Sequence, residues 1–166
     1  MRFSKYFSAI LLSVLLMGCG VYSFTGITTN ANSFQVNFFQ NNAPLIEPGL
    51  DIQFTNTLQD LIQNQTSLEL VNSGGDIIYE GEIVEYRISP TTATSDNRAA
   101  QNRLTIGVNV RYFDNLDEEK NFEQRFSFFY DYPAASQLIG GTKDTAFEEI
   151  LDRITQDILN ASLADW

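Results

Sequence analysis

The sequence contains no histidine and a single cysteine, Cys19. Without histidine there is no Ser-His-Asp triad, no ordinary general base near neutral pH, and none of the imidazole ligands on which most zinc and copper sites depend. A lone cysteine excludes an intrachain disulfide and a cysteine-rich metal cluster. Positive charge is scarce too, with 10 Lys and Arg against 21 Asp and Glu and a net charge of −11. Nucleic-acid backbones bind clustered Lys and Arg, so an acidic chain with no basic tail is unsuited to them. Long apolar runs are also missing, since a membrane-spanning helix needs roughly 20 consecutive apolar residues and no segment reaches that length.

The longest apolar run opens the chain. Arg2 and Lys5 precede apolar residues from Tyr6 to Met17, and small residues follow at Gly18 and Gly20, which is the layout of a signal peptide. Its end, Leu16-Met17-Gly18-Cys19, has the pattern of a lipobox, in which a small residue precedes the acceptor cysteine. The expectation is removal of residues 1–18 and attachment of diacylglycerol to Cys19, with acylation of the new amino group. Each buried methylene contributes about 0.8 kcal/mol and one chain binds only marginally, so two or three chains make a durable anchor. Cleavage removes Arg2 and Lys5, which takes the net charge from −11 to −13. Gly20 stands after the cysteine where an Asp would signal retention in the inner membrane, so the expected location is the outer membrane, facing the periplasm.

Residues 19–32 read as a lipidated N-terminus and polar tether, and residues 33–166 as a single domain. Phe34, Val36 and Phe38 alternate with Gln35, Asn37 and Phe39 as in a half-buried strand. After Pro48, residues Leu50, Phe54, Leu58, Leu61 and Ile62 recur at helical steps. Leu68 and Leu70 mark a short strand ending at Asn72-Ser73-Gly74-Gly75. A strand from Ile77 to Ile88 changes parity, so a bulge is expected near Ile83. Pro90 opens an expected polar loop reaching about Asn102. Leu104, Ile106, Val108, Val110 and Tyr112 then alternate cleanly and are answered, across a turn at 114–120, by Phe122, Phe126, Phe128 and Tyr130, which reads as an antiparallel hairpin. Gly140-Gly141 leads into Thr145-Ala146-Phe147-Glu148, a capping-box pattern, and the stripe Phe147, Ile150, Leu151, Ile154 and Ile158. Two helices with one apolar stripe each need a sheet to cover. The expected fold is α+β, a two-layer sandwich with a mixed, mostly antiparallel sheet of four to five strands and both helices on one face, in the order β-α-β-β-β-β-α, with the first two strands parallel.

The lipobox followed by Cys19-Gly20-Val21-Tyr22-Ser23-Phe24, the order of elements, the phrase Tyr79-Glu80-Gly81-Glu82-Ile83 and the closing Trp166 together resemble the lipopolysaccharide-assembly lipoprotein of the outer-membrane translocon, in its Bacteroidetes form. The resemblance covers the mature chain. It implies a domain inside the lumen of a large lipopolysaccharide-transporting β-barrel, which it plugs and helps to assemble, and contact with lipopolysaccharide during export. A free outer-membrane binding lipoprotein with another ligand or envelope partner fits the same composition.

Strand parity places Arg87, Arg103, Arg111 and Arg125 on the sheet face away from the helices. Guanidinium groups there offer bidentate donors to phosphate. The competing reading is pairing with Glu85 and Glu123 on the same face. Phe39, Phe113 and Phe129 share that parity, and aromatics on a wet face suggest a partner wall. Asp117-Glu118-Glu119 lacks the ligand spacing of a calcium loop and reads as a solvated turn. Asp144-Thr145-Ala146 resembles an O-glycosylation acceptor, with helix capping as the simpler role of Thr145. No catalytic residues, metal or cofactor are called for, because no two carboxylates are brought to one cleft by the pattern.

Overall fold

The computed structural model describes residues 29–93 and 99–164. The proposed signal peptide, Cys19, most of the tether and Trp166 lie outside the described residues. The elements are β1 (Ser33–Val36), β2 (Gln40–Asn41), α1 (Leu50–Gln65), β3 (Glu69–Leu70), β4 (Ile77–Ala93), β5 (Ala99–Asp114), a 3-10 turn (Glu118–Lys120), β6 (Phe122–Pro133) and α2 (Gly141–Leu163). They form an α+β sandwich whose sheet has six strands. Its order is β3-β1-β4-β5-β6, with β2 on the same side of β4 as β1.

Strands β1 and β3 are parallel, as expected for two strands joined through a helix, and β1 also runs parallel to β4. Strand β2 likewise pairs parallel with β4, and the β4–β5 and β5–β6 pairings are antiparallel. In the β5–β6 hairpin Tyr112 stands opposite Phe122 and Leu104 opposite Tyr130, so the two alternating runs meet in register. The bulge in β4 falls where the parity changes, between Ile83 and Glu85. Gly74 takes a positive φ of 69° in the turn before β4, a conformation that glycine adopts at no steric cost.

The core lies between the sheet and the two helices. Leu50, Phe54, Leu58 and Ile62 of α1 and Phe147, Ile150, Leu151, Ile154 and Ile158 of α2 are all buried against Phe34, Ile77, Tyr79, Ile83, Leu104, Ile106, Val108, Val110 and Tyr112. Leu159 and Leu163 continue the α2 stripe for another turn. Gln65 on α1 donates to Gln156 on α2 at 2.9 Å, and the Tyr79 hydroxyl lies 2.8 Å from that of Ser162.

Three expectations are corrected. The first strand does not alternate through Phe39. Val36 pairs with Tyr79 but Gln40 with Glu82, so four steps on one strand match three on the other and the parity reverses. Phe38 is therefore 53% exposed, and Phe39 is fully buried. The second correction concerns the loop from Pro90. Strand β4 continues to Ala93 and β5 starts at Ala99, with Pro90 opposite Asn102. Proline is accepted there because among the described residues no strand pairs with the other side of β4 beyond Ile83. Third, α2 begins at Gly141 behind Gly140, with no side-chain cap. Thr145 lies exposed inside the helix and does not cap it.

Candidate functional site

The sheet face away from the helices is built from alternate residues of three strands. On β4 these are Ile78, Glu80, Glu82, Glu85 and Arg87. They neighbour Phe113, Arg111, Asn109, Gly107 and Thr105 of β5. On β6 the series is Glu123, Arg125, Ser127, Phe129 and Asp131. All four arginines expected on this face are there, and every one of them is paired.

Arg103 makes a bidentate contact with Asp131, with Nε–Oδ1 and Nη2–Oδ2 distances of 2.8 Å. Its guanidinium also lies 3.6 Å from the centre of the Phe129 ring, a cation–π geometry. The hydrogen bond from Arg103 holds the Asp131 carboxyl below its ordinary value, and the same bond raises the guanidinium. Arg111 donates to Glu80 at 3.0 Å and to Glu82 at 3.2 Å, and the bond to Glu80 is the largest cause of its raised pKa. Arg87 donates to Glu85 at 2.8 Å, and Arg125 reaches the other oxygen of the same carboxylate. Arg125 crosses β5 to do so over Gly107, where a Cβ would come within 3.0 Å of its guanidinium.

Glu85 thus pairs as the parity suggested, whereas Glu123 makes no ion pair among the described residues. The remaining carboxylates, Glu80, Glu82 and Asp131, escaped the sequence reading although they occupy positions of the same parity. The aromatic group divides. Phe129 is 41% exposed on the outward face, and Phe113 is half-buried there beside Ile78. Phe39 is withdrawn from the face, because its ring packs edge-on against Phe54 of α1 at 5.0 Å. Room for it exists because position 81 is glycine. A Cβ there would run into the Asn109 carbonyl and approach the Phe39 ring to 2.8 Å. The Phe39 N–H, out of the ladder, is accepted by the Thr55 hydroxyl at 3.2 Å.

Two further features were not legible in the pattern. Asp76 accepts the N–H groups of Asn32 and Ser33 at 2.9 and 3.1 Å, at the start of β1. The Asn32 bond, followed by that of the Ser33 hydroxyl, keeps its carboxyl below the usual range. Nearby, Thr29, Tyr112, Asp114, Lys120 and residues 161–164 line a cleft of about 190 Å³. Among the described residues no group of three or more metal-ligating side chains occurs.

The model of a family described as LptE, lipopolysaccharide-assembly, matches residues 31–162. The chain belongs to this family. Solved structures place the LptE-family chain among similar folds. A hypothetical protein from Chlamydia trachomatis is 11% identical, with a TM-score of 0.57 over 81% of this chain and 99% of its own. Uncharacterized lipoprotein B from Nitrosomonas europaea is 17% identical, with a TM-score of 0.55 over 86% of this chain and 88% of its own. A protein from Xanthomonas campestris is 10% identical, with a TM-score of 0.57 over 82% and 86%. At such identities the likeness concerns the fold alone. No curated protein matches the chain.

Proposed function

We propose that this LptE-family chain is a non-enzymatic, lipid-anchored component of the outer-membrane lipopolysaccharide export translocon. In this reading it faces the periplasm, plugs and helps to assemble a β-barrel partner, and contacts lipopolysaccharide. The family match over residues 31–162 carries the reading. Anchorage follows from the lipobox at Cys19, and the shape of the fold agrees with a plug. Thr29, where the tether meets the domain, lies beside Asp114 and Ala164. That is the end of the sheet at which β4 begins, since Ile77 pairs with Asp114. The 17 residues of β4, at about 3.3 Å each, carry its far end roughly 50 Å away. A domain held at one end and long in the other direction can reach from the periplasmic leaflet into a lumen.

The outward sheet face is the contact surface in this proposal. Arg87, Arg103, Arg111 and Arg125 lie in ion-paired rows with Phe129 among them and Phe113 at the end beyond Arg111, and Arg and aromatic residues are enriched at protein interfaces. Their pairing argues against a bare phosphate trap. A phosphate would have to displace a carboxylate from each arginine, so exchange of partners at the moment of contact is the chemistry this face offers. The test is depletion of the protein, followed by measurement of correctly assembled barrel and of lipopolysaccharide reaching the surface. Both should fall. Normal values for both, with no barrel co-purifying from mildly solubilised outer membranes, would favour the free binding lipoprotein instead.

A further inference from the structure

The four arginines of the outward face are not equivalent. Arg103 has a carboxylate of its own in Asp131, and Arg111 has two, Glu80 and Glu82. Arg87 and Arg125 share the single carboxylate of Glu85, and their side chains remain 57% and 53% exposed. Two guanidiniums thus converge on one carboxylate at this corner of the sheet, and Arg87 has no other ion-pair partner among the described residues. The same corner borders a cleft of about 520 Å³ walled by Pro44, Leu45, Val84, Tyr86 and Ile88. Leu45 is 54% exposed and Ile88 is 42% exposed, and Ile46 beside them is 64% exposed.

The cleft runs along an open length of sheet edge. Strand β2 ends its pairing where Asn42 donates to the Ile83 carbonyl, and nothing among the described residues pairs with β4 on that side beyond it. Backbone groups alternate in direction along a strand. Tyr79 and Ile83 turn their carbonyls to that side, and the extra residue at Val84 advances the phase by one. Tyr86 and Ile88 therefore present their N–H and C=O groups to the free edge, while Glu85 and Arg87 turn theirs to β5. Pro90, which has no N–H, closes the stretch.

We propose that this edge is a docking site for an extended segment of a partner polypeptide. The segment adds to β4 in line with β2, seats an apolar side chain in the cleft and sets a carboxylate against Arg87 and Arg125. Unpaired backbone donors and acceptors favour a peptide over an acyl chain, because hydrocarbon against them would leave them unsatisfied. Strand addition draws affinity from main-chain bonds and specificity from side-chain pockets, and both are present here. The exposed guanidinium of Arg87, which shares its one carboxylate with Arg125, selects an acidic segment. The proposal rests on the reading that the domain works against a protein partner, and adds where that partner inserts a strand.

The experiment places a photo-crosslinking amino acid at position 46 of the full-length, lipid-anchored protein in its own outer membranes, with position 52 on the outer side of α1 as the control. The expected result is a polypeptide crosslink from position 46 alone, mapping by mass spectrometry to a segment that alternates apolar and acidic residues. Ile88→Pro should lower its yield at least tenfold by removing the N–H that faces the edge, and Ile88→Val should retain it. Arg87→Glu, which leaves the backbone untouched, should lower it as well and decides the matter if Ile88→Pro melts early. A crosslink to lipid only, to a second copy of this chain, or to nothing overturns the proposal, as does a yield unchanged in both variants. Barrel co-purification separates the two readings. A barrel that co-purifies without the crosslink removes this site and leaves the translocon role standing. A variant-sensitive crosslink to a polypeptide other than the barrel keeps the site and removes that role.

Discussion

Gly81 and Phe39 form a pair in which the missing side chain of one makes room for the other. Gly81→Ala is expected to cost about 1–3 kcal/mol, the range for forcing an extra group into a filled core, and thermal unfolding would register it. An unchanged melting temperature would mean that the β5 backbone at Asn109 and the Phe39 ring both shift to admit the methyl group. Val108 is fully buried on the central hairpin, so Val108→Asp should cost about 4 kcal/mol or more, or yield no folded protein, because an unpaired carboxylate is left in the core. Asp131 gives a pH prediction. Its carboxyl is held below its ordinary value by Arg103, so its contribution is present above the unfolded pKa of about 3.9 and is lost as the pH falls through the lower folded value. Asp131→Asn should lower the melting temperature at pH 7 and flatten its decline below about pH 4. Parallel melting curves for the two proteins across that range would show that the pair contributes nothing.

At the scale of elements, the hydrophobic stripes of both helices and the register of the β5–β6 hairpin were legible because period alone separates a face that must be buried from one that is wet. Ends were less legible. The capping-box pattern at Thr145 is spurious because α2 already starts at Gly141, so Thr145→Ala should stay within about 0.5 kcal/mol of the parent, where loss of a true N-cap costs about 1 kcal/mol. Circular dichroism melts of the two proteins would distinguish the cases. The β4–β5 hairpin runs past Pro90 because pairing with β5 on one side suffices for a strand whose other side has no partner strand there among the described residues. The sequence around Pro90 is polar on both faces, so no alternation marks it as a strand. Asp76 ties the start of β1 to the residue before β4, and Asp76→Ala should speed amide exchange at Asn32 and Ser33 while leaving the β5–β6 hairpin protected.

At the scale of the whole molecule, the proposed lipid anchor and the outward sheet face make separate demands on one small domain. A tether raises the local concentration of the domain at its membrane, so the contact with a partner there can be individually weak. Cys19→Ala should abolish lipid attachment and leave uncleaved or mislocalised precursor, because only the cysteine supplies a thiol for the thioether. Intact mass of the mature N-terminus reads this directly, and an unacylated wild-type protein would defeat the anchor. In the proposed arrangement the ion-paired face acts only once the anchor has brought a partner within reach, so mislocalisation and loss of the face are expected to be separable defects.

The sequence by itself determined the fold class, the two helical stripes, the central hairpin and the side of the sheet on which the four arginines stand. Each follows from a local period set by backbone geometry, in which a residue's face is decided by its place within its own element. Only the tertiary structure decided which carboxylate each arginine holds, that Phe39 belongs to the core, and that among the described residues β4 keeps an open edge beside an apolar cleft. Those depend on the register between strands and on one-residue insertions relative to a neighbour. A single extra residue between Val36 and Gln40, or at Val84, changes no period within its own segment but reverses every face that follows.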